Sequence, residues 1–477
     1  MHWIDLSIFG LYLIAVLGVG FYFLKRNKTT DDYYVGGRGM SSLHIGLSVV
    51  ATDVGGGFSI GLGGLGFIMG LSGSWLLFTG LIGAWLSAVL LIPKVSDLAR
   101  ARGLLSFPQF LEVMYDKRVA LIAGIISAIG YLGFTSSQIL AGAKLASATF
   151  LDLSLNKALL IMGIIAVTYT VVGGLKAVIY TDTIQWIILL SGLIFIAIPV
   201  SYIKLGGFTA IRDTVSPEFL TLTNVTWQQI LNWAFTIIPI WFIGMTLYQR
   251  IYASKDKRTA QRAWFIAGLF EYPVMAFTGV LLGLFSRVAL DAGMLTEFTM
   301  GGMIDPEMGL PALLRTILPV GLMGLVLSAY FSAIMSTADS CLMASSGNII
   351  TDILRKHEAK NSLRLSQLFT LIIGVTALLL AMKMPNVLEL MLHSYSFMVS
   401  GMIIPVLAAL FTKNPDKTGS LWSMISGGSV TFLLIVLPLE LPMGLDPIIF
   451  GITASALVYA IISSINQKIT DGEINRH

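Results

Sequence analysis

The sequence is poor in cysteine, holding only Cys341 among its 477 residues. A single cysteine excludes a disulfide within the chain and any metal cluster built from several thiolates. Because Cys341 stands inside an apolar run, we expect it to pack in the interior as a small hydrophobic residue.

Charge is also scarce, since Lys, Arg, Asp and Glu make up 12% of the chain whereas 56% of it is hydrophobic. A water-soluble protein of this length needs more charged residues to cover its surface. The composition therefore excludes an ordinary soluble enzyme. It is typical of a helical membrane protein, in which each crossing takes about 20 apolar residues.

Motifs for energy-driven or catalytic chemistry are missing as well. No GxxxxGK[ST] sequence occurs, and no loop has the length of a soluble domain, so ATP-driven transport by this chain alone is not expected. No nucleophile, base and metal set has a coherent spacing, which argues against an enzyme and against a bound cofactor. Nothing in the chain indicates a nucleic acid or an obligatory protein partner.

The apolar runs predict about thirteen membrane helices. They begin near positions 3, 43, 74, 119, 158, 178, 227, 263, 311, 366, 386, 418 and 446. The first run lacks a basic start and a small-residue cleavage site, so we interpret it as a mature helix and not a signal peptide.

Most Lys and Arg residues, Arg250 among them, fall in alternate connectors between these helices. Basic residues concentrate on the cytoplasmic side of membrane proteins. An odd number of helices with this bias places the N-terminus outside and the C-terminus in the cytoplasm. A bacterial inner membrane is the simplest location for a chain with such short loops.

One apolar span contains an acid next to three consecutive glycines, Asp53 and 55–57. Glycine tolerates non-helical backbone, and the carbonyl groups that an unwound helix frees need partners that lipid does not offer. The pattern predicts a broken helix that faces a cavity or an ion. Close packing of helices through small residues is the alternative.

A second polar island occupies 332–340 within another apolar span. Ser332, Ser336 and Ser340 share one helical face, and Thr337 and Asp339 flank it. The hydroxyl groups alone could bond to carbonyls of their own helix. A carboxylate at this depth costs several kcal/mol unless it meets a cation, a donor or water. Both islands offer the oxygen ligands that a hard cation such as sodium prefers.

Two further acids lie close to or inside apolar spans. Asp182 is either a solvated acid favoured by a helix dipole or a site for a cation at the inner mouth. Glu271 stands near Pro273, which indicates a kinked and partly hydrated position without an assigned role.

Aromatic residues, including Trp241 and Phe242, cluster around Pro239 and Gly244. Such residues usually form interface belts or pack between helices. The alternative is a second broken helix whose rings line a solute cavity and hold a cationic or zwitterionic head group. We interpret His393 as a hydrogen-bonded packing residue and not as a proton relay.

Four stretches together resemble the sodium:solute symporter family: 31–38, 173–182, the Gln249–Arg250 pair and 333–340. The resemblance covers nearly the whole chain. It implies an all-α membrane transporter with a LeuT-type fold in a single domain, 1–477. Two inverted five-helix repeats, 43–203 and 227–412, would follow an extra first helix, 1–24, and precede two C-terminal helices, 418–465.

The resemblance also implies a sodium site between the broken first core helix and the eighth core helix. Its ligands would be Ala51, Val54, Ala333, Ser336 and Thr337. A second sodium site would use Asp182, Asp339 and Ser340. Because Asp339 replaces a hydroxyl residue of the family pattern, one sodium ion, two sodium ions or a competing proton all stay open.

The implied function is sodium-coupled uptake of a small organic solute by alternating access, with sodium, the solute and the lipid bilayer as partners. The solute would be zwitterionic or cationic, like proline or choline. Its candidate contacts are Asp53, Gly55, Gly56, Phe58, Trp241, Phe242 and Tyr395. The alternatives are proton coupling through Asp53, Asp182 or Asp339, and a sensor that binds solute without transporting it.

Overall fold

The computed structural model describes residues 2–24, 35, 38–53, 55–150, 153–299, 303–356, 362–437 and 439–474. Within these ranges the chain is almost entirely helical, and its β-type pairing is limited to one bridge between Met40 and Ser254. Val54 and most of the stretch 31–38 lie outside the described residues.

The first ten helices are α1 (Trp3–Leu24), α2 (Ser42–Asp53), α3 (Gly56–Met69), α4 (Trp75–Leu90), α5 (Ile92–Arg102), α6 (Phe107–Met114), α7 (Lys117–Thr149), α8 (Leu155–Gly192), α9 (Ile198–Lys204) and α10 (Gly207–Thr214). The others are α11 (Trp227–Ile243), α12 (Met245–Ala253), α13 (Lys257–Leu269), α14 (Ala276–Asp291), α15 (Pro306–Ile317), α16 (Leu322–Gly347), α17 (Ser362–Ala381), α18 (Val387–Phe411), α19 (Lys417–Val436) and α20 (Pro447–Ile474).

Nine helices of the described chain are long and apolar enough to cross a membrane, or ten if the bent pair α11 and α12 forms one span. The number thirteen stays a prediction. Two helices are expected between 158 and 204. The structure has two apolar helical stretches there, Leu155–Thr168 at the start of α8 and Asp182–Lys204, which runs from the end of α8 through a π-helical segment into α9.

The first predicted interruption is confirmed, because α2 ends at Asp53 and α3 begins at Gly56. A Cβ atom at Gly55 would overlap the Thr337 side chain of α16, and one at Gly56 would lie 2.7 Å from the Ile334 Cα atom. Glycine at both positions therefore allows the broken helix to approach the α16 backbone closely.

The alternative interpretation of the aromatic stretch, a second broken helix, is confirmed at Gly244, where α11 and α12 meet at an angle of 41°. Gly244 has extended backbone angles, and its N–H still bonds to the Ile240 carbonyl at 2.8 Å. Pro239 lies within α11, one turn before the bend. The bend leaves the first N–H groups of α12 without partners in their own helix.

Helix α16 lies at the centre of the bundle, with 94% of its most apolar window buried. It packs against α7, α8 and α1, and also against both halves of the first broken helix. Small residues bring other helices together, as where Gly66 of α3 lies against the Val280 backbone of α14. The polar island of α16 is therefore enclosed by protein on all sides.

Candidate ion and solute site

The Thr337 hydroxyl joins the broken helix to α16. Its Oγ1 atom lies 3.0 Å from the Ala51 carbonyl oxygen and 3.1 Å from the Ala333 carbonyl oxygen, and its single proton can be donated to either. These are three of the five sodium ligands implied by the family resemblance, and the structure brings them together. Val54, the fourth, lies outside the described residues.

Ser336, the fifth predicted sodium ligand, turns toward α8. Its hydroxyl donates to the Asp182 carboxylate, and both side chains are buried. The first predicted ion site therefore connects directly to an acid of the second one.

A buried arginine occupies the centre of the second predicted site. Arg250 has 0% side-chain exposure, and its Nη2 atom lies 3.6 Å from an Asp182 carboxylate oxygen. The same nitrogen donates to Thr52 at 2.7 Å and to Ser340 at 2.8 Å. Ser48 donates to the same Asp182 oxygen at 2.5 Å. A guanidinium group thus supplies the positive charge that a second sodium ion would bring to Asp182 and Ser340.

The sequence reading missed this role of Arg250, which it counted among the residues of a cytoplasmic connector. That placement is wrong, because the side chain is fully enclosed by the bundle. The signal was present in the sequence, since Arg250 directly continues a long apolar run and an arginine at membrane depth is rare without a partner.

Asp339 takes a separate position from the other residues predicted for the second site. Its carboxylate accepts a hydrogen bond from Thr170 of α8. On this side of α16, Gln185 donates to the Tyr12 hydroxyl at 3.2 Å. The structure thus groups Asp182 with Ser340 around Arg250 and places Asp339 in a neighbouring polar pocket.

Three of the predicted solute residues come together beside the first helix break. The rings of Phe58 and Tyr395 lie 6.4 Å apart, and the Tyr395 hydroxyl interacts with the Asp53 carboxyl group. Phe134 of α7, which the sequence reading did not select, packs edge-on against Tyr395 at 4.9 Å.

The other four predicted solute residues have different neighbours. Gly55 and Gly56 lie against α16, as described above. Trp241 is fully buried and packs edge-on against Trp264 at 6.3 Å. Phe242 is 5% exposed, and its carbonyl accepts a hydrogen bond from a tyrosine of α12.

Helix α7 holds both interrupted helices through side chains that the sequence reading missed. The Gln138 side chain accepts a hydrogen bond from the Gly57 N–H at 2.8 Å, in the first turn of α3. The Tyr131 hydroxyl accepts the Thr246 N–H at 3.1 Å, in the first turn of α12. Each bond satisfies an N–H group freed by a break. The signal was the polar run 135–138 within an apolar span.

A cavity of about 590 Å³ lies between α3, α11, α15, α18 and α20. Four acids line it: Asp305, Glu307, Glu389 and Asp446. Burial raises the pKa of the Asp446 carboxyl group. We call this space the acidic cavity. Its negative charge attracts cations and repels anions.

Lys144 of α7 binds two of the acids that line the acidic cavity. Its ammonium group bonds to Asp305 at 2.6 Å and to Glu307 at 2.7 Å. The Glu307 carboxylate also accepts the N–H groups of Val387 and Leu388 at 2.9 Å each, at the start of α18. Glu307 therefore links α15, α7 and the positive end of the α18 dipole.

Replacing Glu307 by Gln is expected to lower the free energy of unfolding by about 1–3 kcal/mol. The amide nitrogen would face donors at Lys144 or at the start of α18, and a buried donor would lose its acceptor. Thermal unfolding of the purified protein measures this effect. Glu297→Gln, at an exposed position, is the control and should unfold like the parent protein. Equal stability of the two variants would contradict the role given to Glu307.

Residues 33–427 match the sequence model of the sodium:solute symporter family. The chain is 28% identical to the osmoregulated proline transporter OpuE of Bacillus subtilis over 96% of this chain and 94% of that one. It is 27% identical to the sodium/pantothenate symporter of Escherichia coli, with 94% of each chain covered. The structure of a Na⁺-coupled sialic acid symporter superimposes with a TM-score of 0.80 at 20% identity, covering 97% of this chain and 98% of that one.

Proposed function

The chain belongs to the sodium:solute symporter family, and from this premise we propose that it couples the uptake of a small organic solute to the entry of sodium. It is an integral membrane protein and a transporter, not an enzyme. The proposed solute carries a zwitterionic or cationic head group, as the sequence indicated. The observation that carries the proposal is the Thr337 hydroxyl, which lies between the Ala51 carbonyl of the broken helix and the Ala333 carbonyl of α16 at a buried position.

The oxygen atoms around Thr337 suit sodium. Two backbone carbonyl oxygens lie within 3.1 Å of the Thr337 hydroxyl, and the neighbouring Ser336 hydroxyl bonds to the Asp182 carboxylate. Hard monovalent cations bind such neutral oxygens without a thiolate or imidazole. We place the coupling ion between Ala51, Val54, Ala333, Ser336 and Thr337.

The contacts at the second predicted site favour one sodium ion per transport cycle over two. Asp182 and Ser340 already bond to the Arg250 guanidinium, which carries the charge of one cation. A sodium ion would bind there only after Arg250 moved away. We therefore propose one sodium ion at the Thr337 site as the basic stoichiometry.

The arrangement of the repeats follows from the two breaks. We propose that 43–203 and 227–412 are the inverted repeats, each beginning with an interrupted helix, with 1–24 before them and 418–465 after them. The proposed location is a bacterial inner membrane, with the N-terminus outside and the C-terminus in the cytoplasm.

Coupling of the two ligands follows from linkage. Sodium bound at Thr337 would hold the broken helix against α16 and stabilise the neighbouring wall formed by Asp53 and Phe58. If sodium raises the affinity for solute, solute raises the affinity for sodium by the same factor. A membrane potential of 100 mV adds about 2.3 kcal/mol to the driving force for each positive charge that moves into the cell.

Transport in proteoliposomes tests the proposal. Uptake of labelled proline, choline, ethanolamine, pantothenate and glucose is measured with and without an inward sodium gradient at fixed pH. Accumulation that requires sodium supports symport. Accumulation driven only by a proton gradient would show that the coupling ion is a proton and not sodium. Saturable binding without any accumulation would indicate a sensor.

Thr337→Ala is expected to raise the sodium concentration for half-maximal uptake at least about tenfold, because it removes one ligand and the link between α16 and α2. Initial uptake rates over a series of sodium concentrations measure the change. Thr376→Ala is the matched control, since the Thr376 hydroxyl is exposed and bonds only to its own helix. An unchanged sodium dependence in Thr337→Ala would refute this site.

A further inference from the structure

Glu271 is a buried acid that the proposed sodium site does not use. It lies in the π-helical segment between α13 and α14 and is 1% exposed. Within the described chain, no donor lies within hydrogen-bond distance of either carboxyl oxygen. Gly80 of α4 makes room for it, because a Cβ atom there would overlap the carboxyl group. Glycine at position 80 thus leaves space for a buried acid that has no hydrogen-bond partner among the described residues.

The neighbour of Glu271 is a second acid, Asp53, at the first helix break. The two carboxyl groups face each other closely enough to interact directly. The Oδ2 atom of Asp53 also has no donor among the described residues. Two facing carboxylates repel each other in a medium of low dielectric constant, so the pair needs either a shared proton or a positive charge beside it.

The described part of the chain does not supply that charge. None of the groups found to interact with Asp53 or Glu271 is a lysine or an arginine. The nearby guanidinium of Arg250 is held by Asp182, Thr52 and Ser340. Lys144 is bound to the two acids of the acidic cavity. The charge that balances this pair therefore comes from a proton shared between the two carboxyl groups or from a ligand that displaces it.

The surroundings of Asp53 favour an organic ligand. Tyr395 lies next to the Asp53 carboxyl group, and its ring packs against Phe58 and Phe134. Carboxylates beside aromatic faces suit an organic cation, whose charge meets the acids while its carbon atoms contact the rings. A small inorganic cation prefers oxygen ligands, such as those around Thr337, to aromatic rings.

We propose that Asp53 and Glu271 form the binding site for the ammonium group of the solute, which is an organic cation with N–H donors and without a carboxylate of its own. The unpartnered oxygens need hydrogen-bond donors, which a primary or secondary ammonium has and a quaternary ammonium lacks. A zwitterion would bring a third carboxylate to a site with two. The proposal rests on the proposed function and narrows its class of solute.

The test compares the parent protein with Glu271→Gln in proteoliposomes and uses ethanolamine, putrescine, choline and proline as solutes. Glutamine keeps the shape of the side chain and can donate to Asp53, so the variant is expected to fold at least as well. We expect the apparent affinity for ethanolamine or putrescine to fall about tenfold to 100-fold, with little change in the sodium dependence. Asp97→Asn, a carboxyl-to-amide change in a surface ion pair, is the control.

Each outcome decides the proposal. Sodium-driven uptake of an amine that Glu271→Gln weakens supports it. Sodium-driven uptake of proline or choline while both amines are inactive would overturn it and leave the proposed function intact. A changed sodium dependence with unchanged solute affinity would assign the acid pair to sodium and overturn it as well. If no solute accumulates with sodium, binding of the amines to the purified protein separates the two ideas: saturable binding that Glu271→Gln abolishes supports the acid pair, and its absence rejects it.

Discussion

Arg250→Met is expected to destabilise the protein by about 3–5 kcal/mol, the cost of leaving one member of a buried ion pair without its partner. The guanidinium group is fully enclosed and bonds to Thr52 and Ser340 while it lies beside Asp182. Methionine fills much of the same volume but leaves Asp182 as an uncompensated buried charge. Thermal unfolding of the purified protein in detergent measures the loss.

A second substitution separates the charge from the packing. Asp182→Asn in the Arg250→Met background removes the orphaned carboxylate, and we expect the double variant to recover a large part of the lost stability. Arg250→Lys keeps the charge but not the planar set of donors, so an intermediate stability is expected. If the double variant were no more stable than Arg250→Met alone, the ion pair would not explain the effect.

The same variants test the stoichiometry. Without its guanidinium, Arg250→Met leaves Asp182, Ser336 and Ser340 free to bind a cation. A second sodium ion should then stabilise the variant more than it stabilises the parent protein. Unfolding temperatures in sodium and in choline chloride provide this comparison.

The helix breaks were predictable because their cause is local. An acid and three glycines within one apolar span conflict with an unbroken helix, and the structure ends α2 at Asp53 for that reason. The bend at Gly244 follows Pro239 in the same helix, but the aromatic residues around it favour packing as the first interpretation, and the break was only its alternative. The contacts of Thr337 were implied only through resemblance, because residues 286 positions apart along the chain meet through the packing of α16.

Other features depend on tertiary contacts that no local pattern contains. Gln138 and Tyr131 bond to the N–H groups freed at the two breaks, and both belong to a helix that is itself unbroken. Asp182 groups with Arg250, and Asp339 with Thr170, because of the orientation in which α8 packs against α16. Helical spacing within α16 places Asp339 and Ser340 near Ser336 but does not decide which neighbouring helix each one contacts.

Glu271 shows a limit of a different kind. The sequence reading noticed an acid near Pro273 and expected a hydrated position, whereas the side chain is 1% exposed. Proline indicates a distortion of the helix but not what surrounds it. Only the packing of α4, with Gly80 against the carboxyl group, shows that the acid is enclosed.

Gly56→Ala is expected to abolish sodium-driven uptake, because a Cβ atom at this position would lie 2.7 Å from the Ile334 Cα atom. Such a contact cannot be relieved by a change of rotamer, since the obstacle is backbone. The broken helix would have to move away from α16, and the Ala51 carbonyl would then separate from the Thr337 hydroxyl. Initial uptake rates with a sodium gradient, together with the amount of folded protein in the membrane, measure the effect.

Two controls show whether the close approach of the helices is the cause. Gly10→Ala adds the same methyl group to α1, where nothing lies within 4 Å of it, and should leave uptake unchanged. Gly56→Ala combined with Ile334→Ala removes the outer atoms of the obstructing side chain but not its Cα and Cβ atoms. This double variant should therefore stay inactive. Recovery of uptake in it would mean that side-chain volume, and not the distance between the two backbones, sets the geometry of the sodium site.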